Sequence, residues 1–397
     1  MVSSERRQSR TLMLASFMSS SFATQPPGLI TGLLLIDIGL TFGQQVGISG
    51  QIRTFSLVAG VIVSLLLGAL SIKFNPRSLM LAGLLLLALS SVGCSIAWDF
   101  PSMLVLYSLT GVATTIITPM ANTLIGVHFP PEERTKVLGW SAAGTSIAYL
   151  VCSPLVSFIA GLAGWRMTFV ALTLPLSLLA LATTFIGIPR ATSDSKSVST
   201  QGFFAGFRSV FSNRSATFCL LGTTLTWASF IGTLTYGISF FRETFSMAVV
   251  WASLLLSAMA LSKTIGHMLI GSLVRRFGRK NTAVASVIST ALFTGFYLLN
   301  DYLWLSIALV CISCVLAGFM HSSVDSLNLE QVPEFRGSMM SLGQTAKSLG
   351  GVIGSGLGGL TLILYGYHGV GVLLGLFGIV SGIVYYLFAK EPVSNES

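Results

Sequence analysis

The sequence predicts an all-α polytopic membrane protein, with twelve transmembrane helices arranged as two pseudo-symmetric six-helix bundles. Three observations carry this. Of 397 residues, 53% are hydrophobic and only 9% are Asp, Glu, Lys or Arg, at a mean hydropathy of +0.82. A soluble domain carries about 25% charged residues to wet its surface, so lipid must cover most of this one. Uncharged runs long enough to cross about 30 Å of hydrocarbon follow one another along the chain; Ser78–Trp98, Met167–Pro189, Asn281–Asn300 and Gly369–Ala389 contain no Asp, Glu, Lys or Arg. Finally, landmarks of the first half return in the second. The flanks of the runs do not alternate apolar and polar residues, which argues against a β-barrel.

The predicted spans of the first half are Thr11–Leu35, Val46–Leu70, Ser78–Trp98, Pro101–His128, Val137–Leu162 and Met167–Ile188. Those of the second are Ala216–Phe241, Met247–Val274, Thr282–Leu299, Tyr302–Leu329, Ser338–Gly366 and Gly369–Phe388. The first span is too long for a secretory signal and lacks a small-residue cleavage site after it. Residues 190–213 are rich in Ser and Thr and read as a linker, giving an N-terminal bundle over residues 1–189 and a C-terminal bundle over 214–397.

An even number of spans puts both termini on one side. Seventeen of the 22 Lys and Arg fall on that side, against Arg53, Arg166 and Arg242 on the other. The positive-inside rule then places both termini and the linker in the cytoplasm of a cell-membrane protein. This one-sided bias accounts for the net charge of +9 without a nucleic acid partner. All five cysteines lie inside predicted spans, and Cys311-x-x-Cys314 reads as two small apolar residues rather than a redox pair.

The repeat is read from three landmarks recurring 202–203 residues apart. Gly68-Ala-Leu70 matches Gly271-Ser-Leu273, Pro131-Glu-Glu-Arg134 matches Pro333-Glu-Phe-Arg336, and Gly164-Trp-Arg166 matches Gly366-Tyr-His368. Each pair falls on the same predicted membrane side, as a duplicated six-helix unit requires.

At these residues the chain resembles the major facilitator superfamily. Gly271-Ser-Leu-Val-Arg275-Arg276-Phe-Gly278-Arg279-Lys280 is similar to that family's loop motif G-x-L-[AS]-D-R-x-G-R-[RK], and Gly68 through Arg77 is a worn second copy. In the family the motif's carboxylate helps latch one conformation; Ile72 and Arg275 stand in its place here. Gly68, Arg77, Gly271, Arg276, Gly278 and Arg279 are the candidate conformational residues: glycines permit close helix approach, and the cations sit at the inner surface. The resemblance spans the whole chain. It implies alternating access between the halves and transport of a small-molecule substrate across the lipid bilayer.

A charge at mid-membrane costs about 2.5–3.5 kcal/mol on the insertion scale, so it calls for a functional account. Lys263 lies twelve residues before Arg275, roughly 18 Å along a helix. Lys347 lies ten residues after Gly337 in span 11, at similar depth. His321 and Asp325 are four apart in span 10 and share a face, as do Lys263 and His267 in span 8. In the family these spans are neighbours, so Lys263, His267, His321, Asp325 and Lys347 are expected to form one polar cluster for substrate and proton. The plain alternative is a Lys–Asp pair that only orients helices, with the histidines as satisfied hydrogen-bonders. Two lysines against one aspartate lean towards an anionic substrate.

The first half offers Gln25 beside Pro26-Pro27-Gly28, Asn122 and Tyr149 as cavity candidates, with no interior charge in spans 1, 4 and 5. A proline pair frees carbonyls, which suits a cavity wall or a plain kink equally. Arg53, about 30 Å from Lys73 along span 2, reads as an outer-interface residue that pairs with Asp37 or contacts substrate. Ser153-Pro154 stands where the family's antiporters carry Gly-Pro, keeping drug efflux open as the alternative to proton-coupled uptake of an organic anion. Gly350, Gly354 and Gly358 form a ridge for close packing. The chain shows no Walker sequence, no H-E-x-x-H and no nucleophile constellation, so an ATP-driven pump or a membrane enzyme is not expected. A transport-derived sensor that binds ligand without flux is not expected either, because the tails read as too short to hold a signalling domain. No cofactor is expected, and the working unit reads as a monomer.

Overall fold

The computed structural model describes residues 2–189 and 207–390, and these are helical almost throughout. The first half contains α1 (Val2–Ala23), α2 (Pro26–Leu33), α3 (Leu35–Phe42), α4 (Val46–Ser49), α5 (Gln51–Lys73), α6 (Pro76–Ile96), α7 (Phe100–His128), α8 (Pro131–Thr168) and α9 (Leu174–Gly187). The second contains α10 (Arg214–Thr244), α11 (Val249–Phe277), α12 (Arg279–Phe293), α13 (Leu303–Leu329) and α14 (Arg336–Phe388). Among the described residues nine helices are long and apolar enough to cross a membrane, or ten when the bent pair of 10–33 and 35–42 counts as one span. Two of these are hairpins. The stretch containing α8 and α9 turns back at Gly164 (φ 79°), and α14 turns back at Gly366 (φ 63°). Counting their arms separately is consistent with twelve crossings.

Local chemistry explains where helices begin and end. The Asn75 side chain accepts from the Arg77 N–H at 2.9 Å and Pro76 opens α6. Asp99 and Ser102 form a capping box at the start of α7. Hydrogen bonds from the Ser102 side chain, then from its backbone N–H, hold the Asp99 carboxyl below the usual carboxylate range. Asn213 caps α10 by accepting from the Ala216 N–H at 3.2 Å. Gly43 (φ 65°) ends α3 and Gly278 (φ 80°) ends α11 in the left-handed region that suits glycine.

The predicted first span is broken twice. Thr24–Gln25 interrupts it before Pro26, as the proline pair suggests, and a further bend of 64° falls at Leu34, where nothing in the sequence marks one. The sixth span starts with a π-helical turn over Phe169–Thr173 ahead of Pro175. Such turns absorb the hydrogen bond that a proline cannot make. Of the predicted linker, residues 190–206 lie outside the described residues, whereas 207–212 are helical and Val210 is fully buried.

The chain packs as two compact units, residues 1–44, 55–197 and 249–257 in one and residues 45–54, 198–248 and 258–397 in the other. Phe17, Met80, Leu84, Ile117, Leu124 and Ala180 belong to the core of the first. Cys219, Phe230, Val287, Met320, Leu327 and Tyr385 belong to the core of the second. The cysteines are all free, Cys311 and Cys314 included.

Candidate functional site

The polar cluster is assembled inside the second unit by four helices. Two glycines bring α11 and α13 together: a Cβ on Gly266 would collide with the Val315 carbonyl, and one on Gly318 with the Lys263 carbonyl. With no side chains between them, the backbones approach closely, as small residues allow in membrane bundles. Lys263 and His267 on α11 thereby face His321 and Ser322 on α13. Trp227 and Phe230, one turn apart on α10, complete the wall.

His321 is wedged between these rings, with its centroid 4.4 Å from that of Trp227 and 4.5 Å from that of Phe230. Its Nε2 is buried and has no hydrogen-bond partner. The His267 ring lies 5.9 Å from His321, and its Nδ1 is 2.9 Å from Ser322 Oγ. His267 is an exposed residue at the rim, so it joins the cluster from its edge.

The two lysines differ in their surroundings. Lys347 Nζ donates to both carboxylate oxygens of Asp325, at 2.7 and 2.8 Å, and stands 5.0 Å from the centre of the Trp227 ring. Lys263 Nζ stands 4.8 Å from the centre of the Phe230 ring and has no ion-pair partner among the described residues. A cation over an aromatic face is stabilised by the ring quadrupole, but its charge is not neutralised. The arrangement therefore holds one compensated and one uncompensated cation side by side.

The other candidates belong to other elements of the chain. Gln25 Nε2 donates to Thr24 Oγ1 at 2.7 Å and to the Ser21 carbonyl at 3.2 Å, filling the break between α1 and α2. Asn122 is exposed on α7, and Tyr149 is half-buried on α8 with its carbonyl accepting from Ser153 Oγ at 2.7 Å. Arg53 is half-buried near the start of α5.

Among the loop-motif cations Arg77 is buried while Arg276 is exposed. Arg77 is only 8% exposed; its Nη2 donates to the Phe185 carbonyl at 2.7 Å and its guanidinium lies over the Phe185 ring. It thus caps the C-terminus of α9, where unpaired carbonyls attract a cation. In the second copy Lys280 Nζ lies over the Tyr386 ring and Arg279 pairs with Glu330 at 3.4 Å. Arg276 is exposed beside Phe277. The surroundings of Gly68 and Gly271 lie outside the described residues. At the Pro-Glu-x-Arg turn, Arg134 donates to the Gly126 and Phe129 carbonyls at the end of α7, and Glu133 pairs with Arg10 at 2.7 Å.

Sequence reasoning missed Trp227, Phe230 and Ser322. Two aromatics spaced by three on an apolar span look the same whether they face lipid or a site. Only the buried, unpartnered nitrogen of His321 between them sets them apart.

Comparison with known proteins agrees with this architecture. The sequence pattern of the Major Facilitator Superfamily matches residues 11–324 and 238–397 in two overlapping stretches. An uncharacterized MFS-type transporter of Bacillus subtilis, YwfA, is 30% identical over 148 residues, 37% of this chain and 36% of that protein. The chain thus spans little more than a third of that relative's length. The cis,cis-muconate transport protein of Acinetobacter baylyi is 23% identical over 361 residues, 86% of this chain and 85% of its own. The chloramphenicol resistance protein CraA of Acinetobacter baumannii is 29% identical over 195 residues, 48% and 45%. Among solved structures, a D-xylose-proton symporter superposes with a TM-score of 0.77 at 16% identity, covering 96% of this chain and 98% of that one. A chain of apolar helices, matched by one family pattern from residue 11 to residue 397, leaves a single assignment: this multi-pass membrane protein belongs to the Major Facilitator Superfamily.

Proposed function

We propose that the chain is a secondary transporter that carries a small organic carboxylate across the cell membrane by alternating access, coupled to protons. In this reading residues 1–189 and 214–397 are the two moving halves, residues 190–213 join them, and both termini are cytoplasmic. The observation that carries it is the two-oxygen Lys347–Asp325 pair standing beside the uncompensated Lys263. A carboxylate held by a lysine gains or loses its proton as that lysine and the local solvation change, which is what a coupling group must do. One aspartate neutralises one lysine, so the site keeps a surplus positive charge that an anionic solute would balance. Few polar groups within aromatic walls suit a small organic molecule. The relative named for cis,cis-muconate, a dicarboxylate, agrees with that choice.

The alternative reading is drug efflux. It rests on Pro154 inside α8, at the position of the family's antiporter motif, and on the relative named for chloramphenicol resistance. Purified protein in liposomes separates the two. The carboxylate reading expects accumulation of labelled benzoate, cis,cis-muconate or glucuronate when an inward proton gradient is imposed, and loss of that drive in Asp325→Asn. Uptake that ignores both the gradient and the substitution overturns the coupling. Transport of chloramphenicol with no carboxylate flux establishes the alternative.

A further inference from the structure

The two lysines are held against different rings, and only one of them has a carboxylate. Lys347 spends its charge on both oxygens of Asp325 while lying over Trp227. Lys263 lies over Phe230 with no ion pair. His321 reaches the same Phe230 ring from α13, so the ammonium of Lys263 and the imidazole of His321 both lie within about 5 Å of one ring centre. The His321 Nε2 is itself buried and unsatisfied. Buried polar atoms without partners are uncommon in proteins, and each calls for a ligand, a water or a functional reason. That unpartnered imidazole nitrogen, able to carry a proton, belongs to a ring that meets the same Phe230 ring as a cation without an ion pair.

We infer that Lys263 and His321 form the carboxylate-binding site, distinct from the Lys347–Asp325 pair, which handles the proton. This assignment rests on the carboxylate-transport reading above. The ammonium of Lys263 supplies the counter-charge, and His321, in the tautomer protonated on Nε2, donates to the second carboxylate oxygen. Such a two-point contact fits the planar fork of a carboxylate better than a single ammonium does. Phe230 and Trp227 wall the site on the α10 side, so the organic body of the ligand lies against aromatic carbon. His267, hydrogen-bonded to Ser322 at the rim, flanks His321 without filling its vacant position. The division of labour explains why the cluster contains two lysines: one is paired with Asp325 whenever that carboxylate is ionised, while the other waits for substrate. A neutral isostere of the same shape would leave Lys263 uncompensated and bind poorly.

The test measures binding rather than flux, in detergent-purified full-length protein, by thermal shift and calorimetry. The probes are benzoate, cis,cis-muconate and glucuronate, with benzamide as the neutral control. The wild type should be stabilised by at least one carboxylate and not by benzamide. Lys263→Met should weaken that binding about tenfold or more, whereas the charge-keeping Lys263→Arg should stay within about threefold. The double variant Asp325→Asn with Lys347→Met should keep carboxylate affinity. The apo melting temperature and gel-filtration profile of Lys263→Arg, which retains the charge, guard against a folding artefact. If carboxylates stabilise the wild type and Lys263→Met alike, or if affinity vanishes only in the double variant, the assignment is wrong while the carboxylate reading stands. If no carboxylate stabilises the wild type, the carboxylate reading itself falls.

Discussion

Removing one member of the Lys347–Asp325 pair should cost more than removing both. In Asp325→Asn the ammonium of Lys347, whose side chain is 14% exposed, keeps only the Trp227 face and a neutral amide. In Lys347→Met the carboxylate of Asp325 loses both of its hydrogen bonds. Breaking a fully buried pair costs about 3–5 kcal/mol because the remaining charge is stranded, while an exposed pair is worth less than about 1 kcal/mol. Asp325 is 37% exposed, so solvent screens part of the interaction. The structure therefore places the coupling between these limits, at about 1–3 kcal/mol. The assay is a double-mutant cycle on unfolding free energy in mixed micelles, with Asp325→Asn, Lys347→Met and the combination. The double variant should be more stable than the sum of the single effects predicts. Additivity to within about 0.5 kcal/mol would mean that the two groups do not interact, and the reasoning about the site would fail.

Three further outcomes follow from the fold. Gly164 has φ 79° and open space around its missing Cβ, so Gly164→Ala should lower stability by about 1–2 kcal/mol through backbone strain alone. Gly161→Ala, equally open but helical, should be neutral or stabilising, and melting curves of the two separate strain from crowding. Gly318→Ala should destabilise by about 1–3 kcal/mol, because its Cβ would meet the backbone of α11 at Lys263 and His267 and not a movable side chain. At Asp99 the depressed carboxyl makes its capping contribution present above the ordinary carboxylate pKa and lost as pH falls through the folded-state value. The melting temperature of the wild type should therefore fall towards that of the pH-independent Asp99→Asn as pH drops below about 4; parallel curves would contradict this.

Much of the fold was legible because membrane helices advertise themselves by length and missing charge. The corner glycines Gly164 and Gly366 stood out as a repeat, and both adopt the positive φ that only glycine takes without strain. The bend at Leu34 was hidden, since a helix broken between two leucines leaves no compositional trace. The Lys347–Asp325 contact could be anticipated, because a lone mid-span carboxylate needs a cation. The role of Arg77 could not, because a basic residue at a span's end looks the same whether it meets lipid headgroups or caps the neighbouring helix. Trp227 and Phe230 were invisible for a related reason: their significance comes from His321, which sits about ninety residues away in sequence and within 4.5 Å in space.

The central claim is that carboxylate and proton movements are linked through Asp325. Liposomes containing the purified protein and a trapped pH dye test it most directly, with benzoate or cis,cis-muconate added outside and no imposed gradient. The account predicts a substrate-triggered proton movement in the wild type that is abolished in Asp325→Asn, while benzamide triggers none in either. A proton signal of equal size in Asp325→Asn, or carboxylate entry without any proton movement in the wild type, would contradict it.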